Sequence, residues 1–176
     1  MTPKYILYGV LIGALVGLFW GIIGIAYSEN YSEMAKYLVI ETSKQYNVSE
    51  SEISIAIKSI ENTMRYVTYL LPISGVINGA ILGVIAGGFT QLFADKLRIK
   101  PTIAAFMGIM VLFFILAIII YYTDVYTGGL ITSSLTEYLP LWYVLGPYLT
   151  YVILFMVFCS IKGPWESWVE APPKNY

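Results

Sequence analysis

Four stretches of this chain, residues 5–28, 66–94, 101–123 and 138–161, each run for more than twenty residues without one charged side chain. About 20 apolar residues are enough for a helix to cross the hydrocarbon of a bilayer. A backbone in hydrocarbon must satisfy its own hydrogen bonds, and runs of this length without strand-like alternation do so as helices. The spacing therefore predicts an all-α integral membrane protein with four transmembrane helices. Composition agrees: of 176 residues, 58% are hydrophobic and only 12% are charged, about half the charge of a soluble domain.

The remaining pieces follow from these spans. Residues 1–28 hold the first transmembrane helix and 29–65 an extracytoplasmic helical segment. The second helix occupies 66–94, a basic loop 95–100, the third helix 101–123, an extracytoplasmic loop 124–137, the fourth helix 138–161 and a tail 162–176. The 95–100 loop carries Lys96, Arg98 and Lys100 against Asp95, so by the positive-inside rule it is cytoplasmic. Four spans then place both termini in the cytoplasm of a cell membrane. A signal-peptide reading of the first span fits less well, because its apolar run is longer than the usual 7–15-residue signal core. The tail carries Trp165 and Trp168 beside prolines and reads as an interfacial anchor.

Glycine is the second organising feature. Gly9, Gly13, Gly17 and Gly21 recur every fourth residue in the first span, and Gly75, Gly79, Gly83 and Gly87 repeat the pattern in the second. Each costs a helix roughly 1 kcal/mol relative to alanine in water. In lipid, helix association depends on close van der Waals approach, which glycine permits. These eight residues are read as a glycine zipper that packs the two antiparallel spans. Leucine at these positions should wedge the helices apart, whereas alanine should be mild. Gly13 is expected at the depth of Gly83.

The 29–65 segment reads as two amphipathic helices divided near Asn47. Asn47 or Ser49, with Glu50 or Glu52 three residues on, offers a capping box. Ile53, Ile57, Ile60, Met64 and Val67 then form a stripe at helical spacing, suited to a neighbouring helix, the membrane surface or a docking partner. Two N-x-S sequons, at Asn30 and Asn47, fall in this segment, and Asn47 is the candidate glycosylation site because Asn30 lies close to the membrane.

Chemistry needs polar groups, and the spans contain few. Asn78 lies in the middle of the second glycine run and must face protein or water, as a polar clamp between helices or as a pore-lining group. Gly146 and Pro147 mark a candidate hinge in the fourth span. There is no histidine and one cysteine, Cys159, in an apolar run. No metal-ligand spacing, P-loop, nucleophile elbow or dinucleotide fingerprint is present, so no metal, no cofactor and no enzymatic activity are expected. With 10 basic and 11 acidic residues there is no basic field to hold nucleic acid. Membrane lipid and other membrane-protein subunits, or further copies of the chain, are the expected partners. The inventory favours a non-catalytic structural or scaffold subunit of a membrane complex, ahead of a small oligomeric channel or permease for an uncharged solute.

Overall fold

The structure is a computed structural model and describes residues 4–161; the 162–176 tail, with its expected interfacial tryptophans, lies outside the described residues. The chain forms α1 (Lys4–Ile25), α2 (Ser28–Gln45), α3 (Glu50–Asp95), α4 (Pro101–Tyr126), α5 (Leu130–Tyr138) and α6 (Leu141–Ser160), with no strand among the described residues. Four of these, α1, α3, α4 and α6, are long and apolar enough to cross a membrane. Their connections put Lys4, Lys96, Arg98 and Lys100 at one end, the basic end. At the other end α2, the first turns of α3, and α5 form a helical headpiece.

The second amphipathic helix of the 29–65 segment is not separate from the second span. It continues into it without interruption, giving α3 46 residues. Ser49 starts it: the Glu52 backbone N–H donates to Ser49 Oγ, and the Ser49 N–H donates to the Glu52 carboxylate at 3.2 Å. Asn47 is not the cap; it adopts a left-handed backbone, φ 51°, in the turn before it. Between Ile60 and Tyr66 the sequence offers neither glycine nor proline, so nothing ends the helix at the membrane edge. Pro72 lies within it without terminating it. The expected loop at 124–137 is likewise largely helical. Gly128 and Gly129, both at positive φ, turn the chain after α4, and Asp124 then accepts from the Thr132 backbone N–H and hydroxyl in the first turn of α5.

The α1–α3 pair is the tightest contact in the molecule. A Cβ built on Gly13 would overlap the Gly79 carbonyl, one on Gly17 the Gly75 carbonyl and one on Gly9 the Gly83 carbonyl, and the reverse holds from α3. Gly21 meets the backbone of Leu71 and Pro72, and Gly87 that of Tyr5 and Ile6. Gly13 thus opposes Gly79, one turn from the expected Gly83. A second close approach joins α3 to α4: a Cβ on Gly108 would fall 2.9 Å from the Ala86 carbonyl oxygen, beside the fully buried Ala104, Ala105 and Thr90. The packed core of Tyr8, Ile12, Ile109, Leu112 and Phe155 fills the half of the bundle toward the basic end.

The opposing groups at the α1–α3 contact are backbone and cannot rotate away, so alanine is not mild here. Overpacking costs about 1–3 kcal/mol, against a helix-propensity gain of about 1 kcal/mol. We expect Gly79→Ala to lower the unfolding temperature in detergent, and Gly79→Leu to lower it further. Gly88 has nothing within 4 Å of its would-be Cβ, so Gly88→Ala should hold or raise that temperature. Equal behaviour of Gly79→Ala and Gly88→Ala would dismiss the backbone-to-backbone contact.

Candidate functional site: an intramembrane cavity

Where α1 and α3 close on one another, their glycines leave a wall without side chains. On the headpiece half of the bundle this wall bounds a cavity of about 350 Å³. Gly13, Gly17, Gly75 and Gly79 form its back, Leu112 and Phe113 of α4 one side, Val144, Pro147 and Tyr148 of α6 another, and Leu135 of α5 with Leu139 just after it the roof. α3 and α6 share no packed interface, so the cavity lies between them.

Its polar groups are few. The Asn78 amide donates to Ser74 Oγ at 3.2 Å, one turn earlier on its own helix. Among the described residues Asn78 makes no hydrogen bond to a neighbouring helix, and its carbonyl oxygen accepts from none of them. At the headpiece end the Tyr31 and Tyr143 hydroxyls share a hydrogen bond of 2.9 Å. Tyr151 lines the cavity at 7% exposure, and its hydroxyl has no hydrogen-bond partner among the described residues. No acidic or basic side chain lines the cavity.

The Gly146-Pro147 pair has a packing reason. A Cβ on Gly146 would overlap the Trp20 ring, whose Nε1 donates to Thr150 Oγ1 at 3.3 Å. α6 runs unbroken from Leu141 to Ser160 through this point, and Pro147 contributes to the cavity wall. Around Trp20 gathers an aromatic cluster in which Tyr27 stacks on Tyr143 with centroids 4.5 Å apart. Tyr27, Trp142 and Tyr143 pack against one another and against Trp20 between helices. Trp20 carried no polar or charged neighbour in sequence to mark it. Gln91, which accepts from the otherwise unpaired Tyr5 backbone N–H at 3.0 Å and so ties the start of α1 to the end of α3, was equally silent.

The headpiece is braced against the bundle. Asn30 Nδ2 donates to the Tyr138 carbonyl at 2.8 Å, which engages the amide of the first sequon, while Asn47 is exposed. Lys36 bridges Glu33 on its own helix and Glu61 on α3, at 3.0 and 2.9 Å. These hydrogen bonds, Glu61 first, raise the Lys36 pKa, so its ammonium stays charged through neutral pH and past the usual lysine range. The Ile53, Ile57, Ile60 and Met64 stripe is half-buried, and α2 packs on α3. Among the described residues no group of three His, Cys, Asp or Glu side chains could hold a metal ion.

No family model matches this chain, and neither a curated protein nor a solved structure is significantly similar to it.

The two hydroxyls at the cavity's headpiece end lend themselves to a double-mutant cycle. Tyr31→Phe and Tyr143→Phe should each lower stability, and the pair together should cost less than their sum by about 0.5–1.5 kcal/mol, the net worth of one hydrogen bond. Additive losses would mean the hydroxyls do not bond.

Proposed function

We propose that the protein is a non-catalytic structural subunit of a complex in the cell membrane, with both termini in the cytoplasm and the headpiece outside. The observation that carries this reading is the continuity of α3. Its 46 residues make a rod of about 69 Å at 1.5 Å per residue, whereas the hydrocarbon core is about 30 Å thick. More than a third of the rod projects from the membrane. Inside the bilayer the glycine-faced contact with α1 holds it, and outside it α2 and α5 brace it. Such an element transmits position from one side of the membrane to a partner on the other.

The outer tip of the α2–α3 pair supplies a contact surface. Tyr46, Val48 and Ile55 are exposed there, Ile55 at 68%, and neither α2 nor α5 covers them. Exposed apolar side chains far from the membrane suit another subunit or a second copy of this chain. The alternative, a channel or permease for an uncharged solute, draws on the cavity beside Asn78. Beneath that cavity Tyr8, Ile12, Ile109 and Phe155 pack the bundle interior, which favours the structural reading.

A photocrosslinking amino acid at position 55, introduced into the protein at its native level, should yield one discrete adduct, with another membrane protein or with a second copy. Ile55→Glu should abolish co-purification of that partner in mild detergent while leaving the unfolding temperature unchanged. A monomeric particle with no adduct from position 55 would rule the reading out.

A further inference from the structure

We propose that the cavity between α1, α3, α4 and α6 binds an uncharged single-chain amphiphile drawn from the lipid layer, with its hydroxyl or amide group on Asn78. The entrance is lateral. Ser74 and Asn78 line both the cavity and an adjoining depression formed by Leu70, Ile73 and Ile77, and those three side chains are 54–57% exposed on the membrane-spanning part of α3. A molecule reaching Asn78 by this route comes from hydrocarbon.

The chemistry of the walls selects what can stay. A volume of about 350 Å³ lies at the lower end of the range for small-molecule sites, roughly 300–1,000 Å³. It suits one chain, not a two-chain phospholipid. No Lys, Arg, Asp or Glu lines it, so a phosphate, carboxylate or ammonium would enter a low-dielectric site without a counter-charge. The glycine backbones of α1 and α3 present a smooth apolar surface to a methylene chain. Polar groups are left over. Asn78 has a carbonyl oxygen and one amide hydrogen beyond its bond to Ser74. The Tyr151 hydroxyl, in a residue more than nine-tenths buried, has no partner among the described residues. A polar group without a partner in hydrocarbon is costly, and a hydroxyl or amide on the ligand both donates to and accepts from the Asn78 amide. This inference is independent of the subunit reading, since it concerns the bundle interior and not the outer tip.

The test uses the full-length protein in lipid nanodiscs and a long-chain primary alcohol carrying a diazirine in its chain. Photolabelling mapped by peptide mass spectrometry should be saturable and concentrated on residues 74–79 of α3 and 143–148 of α6. Unlabelled long-chain alcohol should displace it, and a fatty acid of equal length, held ionised at about pH 9 because the bilayer raises its pKa, should compete about tenfold less well. Val144→Trp, which fills the cavity, should remove the saturable component. Asn78→Leu, at an exposed position that perturbs no packing, should weaken competition by the alcohol about tenfold relative to the matching alkane. This second variant carries the test if the tryptophan variant does not fold. Labelling spread evenly over Ile73, Ile77 and Ile81, a fatty acid that competes as well as the alcohol, or an Asn78→Leu protein that keeps the alcohol preference would overturn the proposal.

Discussion

The backbone-to-backbone approach of α1 and α3 is the contact on which the remaining architecture depends. Hydrocarbon provides little drive to bring apolar helices together, so their association depends on how many atoms come within van der Waals range. At Gly9, Gly13 and Gly17 the opposing atoms are carbonyls of Gly83, Gly79 and Gly75, which leaves no room for even a methyl group. The contact has a second effect. A helix face made of glycine contributes no side chain to fill space beside it, so the surface that locks the two helices also forms the back wall of the cavity. Close packing in one direction and open volume in the next have the same cause.

The bundle is asymmetric along its length for a related reason. Toward the basic end the interior is filled by Tyr8, Ile12, Ile109 and Phe155, and Gly108 lets α4 approach α3 closely at Ala86 and Thr90. α3 and α6 share no packed interface, and toward the headpiece large aromatic groups fill the space between α1 and α6 through Trp20, Tyr27 and Tyr143. Gly146 is needed there to receive the Trp20 ring. The headpiece then caps the opening with Leu135 of α5 and Leu139 just after it, held to α2 by the Asn30 bond to the Tyr138 carbonyl. Tyr31 reaches from α2 to Tyr143 on α6, so the headpiece helices and the bundle are tied through hydroxyls at the headpiece end of the cavity.

Several features of this arrangement were legible in the chain before folding. The four apolar runs correspond to α1, α3, α4 and α6 because transfer into hydrocarbon is a property of each segment by itself, summed residue by residue. The start of α3 at Ser49 was readable for the same reason: a capping box involves residues three apart and needs no distant partner. The every-fourth spacing of glycine marked two helix faces built for close approach.

What lies against those faces is a different kind of information. The register of Gly13 on Gly79, and not on Gly83, follows from where both helices enter the bilayer and how Tyr5 is fastened to Gln91. The intolerance of a methyl group there depends on the opposing atom being a carbonyl, which no single segment encodes. Likewise Asn78 was recognisable as an amide in hydrocarbon, but its turn toward an open cavity instead of a neighbouring helix was decided by the absence of a packed interface between α3 and α6. The sequence by itself determined which segments are apolar enough to cross a membrane and which helix faces are small, since these are local sums of transfer free energy and side-chain size. Only the tertiary structure decided which faces meet, in what register, and where space is left between them, because packing is a pairwise property of residues far apart in the chain.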